Sequence, residues 1–248
     1  MPRFRDVPGG EERRALLFQK LRACRTLVFD FFDVDGNTAA KDAKRECLLE
    51  LVEYVSSGEG QQLAFLGEGL AESVAMVSAN IFRDLPPPLD DPSQLMDNAE
   101  DDEPVLDPAW PHLQVVYEYL LRLVTAPCVK AKASKKVVNK AFCIKLVELF
   151  DSEDPRERDY LKTIMHRLYG KFMGHRALLR RSIGHVFFRF VFESGQHSGI
   201  AELLEILGAV INGFATPLKP EHIVFLERAL LPLHRPRSMP RYHMPLAF

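Results

Sequence analysis

The sequence predicts an all-α protein in which pairs of helices repeat. Apolar residues recur at helical spacing over most of the 248 residues. Convincing period-two runs are missing. After Trp110 the helix pairs return at a spacing of about 40 residues, over 109–150, 155–193 and 197–233, which is the period of HEAT-type units. A single pair cannot bury its own apolar face, so such units stack. The predicted fold class is therefore a HEAT-like helical-repeat solenoid, an alpha-alpha superhelix.

Taken in order, Leu16, Leu17, Leu21, Cys24 and Val28 mark a first helix. The run LRACRTLVFDFFD is the most strand-like in the chain, but it continues the helical pattern without a break. Cys47, Leu48, Leu51, Val52 and Val55 mark a second helix, and 66–82 a third, with Val74, Val77 and Ile81 on its core side. LQVVYEYLLRLV and KKVVNKAFCIKLVELF follow. Pro155 suits the first turn of the next helix, with Glu157 just behind it. That helix runs 156–173 and is followed by 177–192. A very apolar helix over 201–212 ends at Gly213, and 220–231 comes last.

The pattern breaks over 85–111, where seven prolines and eight acidic residues stand without one Lys or Arg. Proline removes backbone donors and like charges repel, so this is an extended acidic loop with poor order. The organisation predicted is N-terminal helical repeats over 1–84, the acidic proline-rich loop over 85–108, further repeats over 109–234 and a tail over 235–248.

Composition narrows the function. A hydrophobic share of 47% allows a sizeable core, and a net charge of -2 argues against general nucleic-acid binding. No apolar run is long enough to span a membrane, and the N-terminus lacks the apolar core of a secretory signal. Cys24, Cys47, Cys128 and Cys143 stand far apart without a CxxC pair. They read as buried thiols in a reducing compartment.

Phe32 to Thr38, FDVDGNT, has the Asp-x-Asp-Gly-x-Thr form of haloacid-dehalogenase phosphatases. That chemistry needs the first Asp at the end of a buried parallel strand, and only helices follow here. As a calcium loop the stretch puts Phe31 at the first ligand position. A helix-ending turn is the expected reading. The eight histidines form no metal spacing, and no nucleophile with its base can be placed, so no cofactor, metal site or catalytic residue is expected. VKAKASKK, 129–136, reads as a solvated cationic turn.

DSEDPRERDYLKTIMHRLYGKFMGHR, Asp151 to Arg176, is different. His166, Tyr169, Met173 and Arg176 are spaced 3, 4 and 3 and share one stripe if the helix continues. They form either the solvated rim of a packed helix or a shallow groove for an apolar, acidic peptide. Helical solenoids bind peptides on such faces.

Longer stretches are more specific. AWPHLQVVYEYLLR, KLVELFDSEDPRERDYLKTIMHRLYGKFMGHRA, FFRFVFES, HSGIAELLEILGAVINGFATPLKPEH and LLPLH resemble the B-prime family of protein phosphatase 2A regulatory subunits. RFRDVPGGEERRALLFQKLRACRTLVFDF, AKRECLLELVEYV and NIFRDLPP are similar to its N-terminal region, and DDEPVLDPAWPHL to its acidic lead-in to the second helical block. The resemblance covers nearly the whole chain, though SGEGQQLAFLGEGLAESVA, 57–75, fits poorly.

The resemblance implies a non-catalytic subunit. It implies binding to the phosphatase scaffold and catalytic subunits and recruitment of substrates through Leu-x-x-Ile-x-Glu segments. It also implies a peptide-binding set of His166, Arg167, Tyr169, Met173, Arg176, Ile206 and Val210, with Lys219 and His222 assisting at acidic positions. Met173 and Val210 stand where Leu and Ile are usual, and both keep an apolar lining. Cytoplasmic and nuclear localisation is expected. The family continues through further helical pairs beyond RYHMPLAF. The alternative function is a free-standing HEAT-repeat adaptor that binds peptides without assembling with the phosphatase.

Overall fold

The computed structural model describes residues 1–26, 29–33, 36–85 and 105–248. The fold is all-α: among the described residues every regular element is helical and no strand occurs. In chain order the helices are α1 (Glu11–Thr26), α2 (Thr38–Tyr54), α3 (Gly58–Phe65), α4 (Gly67–Ile81), α5 (Trp110–Thr125), the single turn α6 (Ala131–Ser134), α7 (Lys140–Glu148), α8 (Pro155–Lys171), α9 (Arg176–Arg189), α10 (Ile200–Ile211), α11 (Pro220–Phe225) and α12 (His243–Ala247). Most of the acidic proline-rich segment lies outside the described residues.

The chain divides into two compact units. The first holds Met1–Arg83, Asp107–Phe142 and Gly170–Met173; the second holds the described residues of Asp84–Leu106, Cys143–Tyr169 and Gly174–Phe248. Helices α1 to α5 thus belong to one core, across the expected boundary at the acidic loop.

In the first unit α1 and α2 run antiparallel. Phe4, just before α1, stacks on Tyr54 at the end of α2, and Lys20 pairs with Glu50 at 2.6 Å. Helix α4 runs parallel to α1: Arg14 meets Glu68 at 3.2 Å, Arg22 meets Glu72 at 3.0 Å and Asn80 donates to the Cys24 carbonyl. Leu17, Leu21, Leu51, Val77, Val116 and Leu120 fill the space between them with essentially no exposure. Deep in this core the Tyr119 hydroxyl meets Ser73 Oγ at 2.7 Å, and Ser73 donates to the Ala64 carbonyl. Tyr119 is therefore the donor to Ser73, and both buried hydroxyls are satisfied.

In the second unit α8 and α10 run parallel, with Arg158 to Glu202 and Lys162 to Glu205 both at 2.8 Å. Helices α9 and α11 do the same, with Arg180 to Glu221 at 3.0 Å and Gly184 against the Phe225 ring. The paired residues are separated by 44, 43 and 41 positions. The period read from the sequence is thus the separation at which equivalent helices touch. The tail does not hang free. Tyr242 is buried, donates to the Leu233 carbonyl at 3.0 Å and meets Phe190 edge-on, while Phe248 reaches Gly208 on α10.

Four expectations need correction. Helix α1 ends at Thr26, so LRACRTLVFDFFD is not one helix; residues 29–33 are irregular. FDVDGNT does not end a helix but precedes one. Asp33 Oδ1 accepts from Gly36 N at 3.0 Å and Asn37 takes a left-handed φ of 58° before α2. Its Val34 and Asp35 lie outside the described residues. The stretch 135–139 is a turn, because Asn139 caps α7 by accepting from Phe142 N at 2.9 Å. Of the cysteines, Cys24 and Cys143 are buried as expected, but Cys47 and Cys128 are only half-buried.

The poorly fitting segment 57–75 folds as α3 and α4, each opened by Gly-Glu-Gly. Glu59 and Glu68 in these openings pair with Arg13 and Arg14 on α1. Gly67 has a φ of 54°, and a side chain on Gly69 would collide with the Leu63 carbonyl. Only glycine permits so tight a passage from α3 to α4.

Candidate functional site

Helix α8 is built to present one face. Asp154 caps it by accepting from Arg156 N at 2.9 Å. Leu161, Ile164, Met165 and Leu168 are buried. That registry leaves His166 and Arg167 exposed and Tyr169 half-buried at the rim. The helix stops at Lys171, whose ammonium donates to the Val124 and Ala126 carbonyls at 2.7 and 2.6 Å within the first unit.

The stripe therefore does not lie on one helix, which corrects the continuous reading of 166–176. Met173 stands in a short 3-10 turn, Met173–His175, and Arg176 is the first residue of α9. The physical cause is that Arg176 turns back. Its Nε donates to the Tyr169 carbonyl at 3.0 Å, one of the last α8 carbonyls that the helix leaves without an internal partner. Its guanidinium also sits over the Tyr169 ring, 5.1 Å from the centroid. Met173 belongs to the first unit and is 71% exposed.

Within the second unit a network joins α8, α9 and α11. Arg180 donates to the Tyr169 hydroxyl at 2.9 Å and to Glu221 Oε1 at 3.0 Å. Its guanidinium lies 5.8 Å from the centre of the Phe214 ring. Phe214 stacks flat on His222, with centroids 3.9 Å apart and planes 8° from parallel. His222 Nε2 is 3.4 Å from Glu221, and its buried Nδ1 has no partner among the described residues.

The sequence reading named Tyr169, Arg176 and His222, which the structure brings together, and missed Arg180, Phe214 and Glu221. Arg180 carried a usable signal, since it stands one helical turn beyond Arg176 on the same face. Phe214 and Glu221 carried none, because their contacts arise only when α9 and α11 align. Ile206 and Val210 lie four apart on α10 and are both buried, 2% and 7% exposed, so they are packed wall rather than open surface. Lys219 is exposed immediately before α11.

The arrangement sets cations beside aromatic rings. No group of three metal-binding side chains occurs among the described residues. What it offers is recognition: guanidinium planes stacked on aromatic rings, with forked donors that match a carboxylate or phosphate. A half-buried Tyr and a stacked Phe–His pair give an apolar bed beside those cations.

The chain is similar to known proteins over its whole length. A family model described as protein phosphatase 2A regulatory B subunit (B56 family) matches residues 1–248. The chain is 53% identical over 250 residues to the B' theta isoform of the 57 kDa phosphatase 2A regulatory subunit of Arabidopsis thaliana, covering 100% of this chain and 50% of that protein. It is 53% identical over 250 residues to the 59 kDa B' eta isoform of the same plant, with 48% of that protein covered. It is 49% identical over 249 residues to the delta isoform of the 56 kDa regulatory subunit of Oryctolagus cuniculus, with 42% of that protein covered. The chain spans about half the length of the curated relatives it matches.

Proposed function

The chain belongs to the B56 family of protein phosphatase 2A regulatory B subunits, and on that premise we propose that it is a non-catalytic targeting subunit. In this reading it binds the scaffold and catalytic subunits of the phosphatase. It recruits substrate proteins through short extended segments of the form Leu-x-x-Ile-x-Glu. The family is one of regulatory subunits of a serine/threonine phosphatase, as the names of the relatives state.

The observation that carries the motif reading is the network of Tyr169, Arg176, Arg180, Phe214 and His222 in the second unit. An extended peptide lays apolar side chains against the aromatic bed and its Glu against the guanidinium groups. Charge-assisted hydrogen bonds of this kind contribute roughly 1.5–3 kcal/mol each. Ordering the peptide offsets much of that gain, so affinity in the micromolar range is expected. Phosphorylation beside the Leu or Ile adds charge near His166 and Arg167 and tightens binding. Cytoplasmic and nuclear localisation belongs to the same proposal, supported by four free thiols that a reducing compartment preserves.

Reconstitution tests the assembly half. Purified chain mixed with scaffold and catalytic subunits is expected to co-elute as a three-subunit complex. Retention of peptide binding without co-elution would instead identify a free-standing helical-repeat adaptor.

A further inference from the structure

Cys24 on α1 and Cys47 on α2 stand opposite each other in the antiparallel α1–α2 register, one turn along from the Lys20–Glu50 pair. Both line one cleft of about 810 Å³ in the first unit, whose wall also carries Lys20, Lys44 and Glu50. Among the described residues no other cysteine lines it. Cys24 is 1% exposed, whereas Cys47 is half-buried and so reachable from the cleft. Lys20 Nζ, held by Glu50 at 2.6 Å, belongs to the same wall.

The two thiols are unequal. The Cys47 thiol, together with burial, pushes Cys24 well up. The Cys24 thiol, and then the Lys20 ammonium, pull Cys47 down against the opposing effect of burial. The thiolate is the nucleophile in disulfide exchange, and cations favour it. An accessible acidic thiol beside a buried partner is the arrangement that such exchange requires, one sulfur to attack and one to resolve.

We propose that Cys24 and Cys47 are a dithiol–disulfide pair that reacts with low-molecular-weight disulfides such as oxidised glutathione. The Cys47 thiolate, having given its proton to water, attacks one sulfur of the small disulfide. That S–S bond breaks and the first small thiol leaves as its thiolate, which takes the proton of Cys24. The Cys24 thiolate then attacks Cys47 Sγ. The mixed disulfide breaks, and the second small thiolate leaves and takes a proton from water. The protein loses two hydrogens and the small disulfide becomes two thiols. The new bond ties α1 to α2 across the connection that contains FDVDGNT.

The test is quenched alkylation and mass spectrometry of the full chain equilibrated with reduced and oxidised glutathione in graded ratios. Wild type is expected to lose two hydrogens as the ratio becomes oxidising, with a linked Cys24–Cys47 peptide and a rise in Tm. Cys24→Ser is expected to accumulate one glutathione on Cys47, because the resolving thiol is gone. Cys47→Ser is expected to leave Cys24 unmodified. Circular dichroism confirms that each variant is folded; if Cys24→Ser is not, the Cys47→Ser and wild-type results decide. Absence of the linked peptide at the most oxidising ratio, or linkage through Cys128 or Cys143 instead, would overturn the proposal.

Discussion

The guanidinium of Arg180 lies 2.9 Å from the phenolic oxygen of Tyr169 and 3.0 Å from Glu221, so one side chain on α9 ties α8 to α11. Only Arg supplies that fork; a Lys in its place keeps the charge but cannot serve both partners and stack on Phe214. Arg180→Ala is expected to weaken binding of a fluorescent acidic peptide by roughly 10–100-fold, the loss of one charge-assisted contact. Arg180→Lys should recover little of it. Anisotropy titration of both variants makes the comparison, and equal affinity for wild type and Arg180→Ala would remove Arg180 from the site.

Glu221 competes with any incoming acid. It is 55% exposed, so its pairing with Arg180 is screened and adds little stability. Neutralising it as Glu221→Gln is expected to leave Tm nearly unchanged and to tighten binding of the acidic peptide several-fold at low salt. The gain should shrink as salt is added. Weaker binding by the Gln variant would show that the carboxylate positions Arg180 rather than competing for it.

His112 makes the first unit sensitive to acid. It is 5% exposed, packed edge-on against Phe31, and its pKa is lowered to about 4 by burial and then by Lys44, with Arg45 adding to the shift and Asp42 and the Lys41 backbone opposing it. The folded state therefore keeps His112 neutral while the unfolded chain takes up a proton near the ordinary value of 6.5. Its contribution to stability is fully present above pH 6.5 and is lost as pH falls toward 4. At about 1.4 kcal/mol per unit the whole loss is about 3 kcal/mol. Urea unfolding at several pH values is expected to show this slope, and His112→Gln to flatten it.

The hydrogen bond from Tyr119 to Ser73 is buried and closes a chain that ends on the Ala64 carbonyl. Tyr119→Phe keeps the ring and its edge-on contact with Phe65 while deleting the donor. Ser73 still donates to Ala64, so only one bond is lost and the expected cost is about 1–2 kcal/mol. Ser73→Ala, which strands the phenol as well, should cost more. Thermal or chemical unfolding orders the two.

How much of this was legible in the sequence follows from the range of each interaction. Helical spacing reports which residues a helix buries, and Leu161, Ile164, Met165 and Leu168 on α8 are buried as that spacing requires. The repeat period was legible because equivalent helices pair residues at a nearly constant separation, as Lys162–Glu205 and Arg180–Glu221 do. Helix ends were less so. The stop after Lys171 depends on Arg176 folding back onto the Tyr169 carbonyl, a contact that no periodic pattern encodes. Helix α3 was not among the helices read from the sequence; Gly60 within it stands where a side chain would collide with the Tyr54 carbonyl, a contact no periodic pattern encodes. Phe214 on His222 could not be read at all, since neither residue belongs to an apolar stripe that pairs them.

The most direct test of the account is calorimetry with a Leu-x-x-Ile-x-Glu peptide. Wild type is expected to bind with micromolar affinity, and the phosphorylated peptide more tightly, with that advantage eroded by salt. Tyr169→Ala and Arg176→Ala, each shown to be folded, are expected to lose measurable binding. Unchanged affinity in both variants would contradict the account and return Tyr169 and Arg176 to the rim of a packed helix.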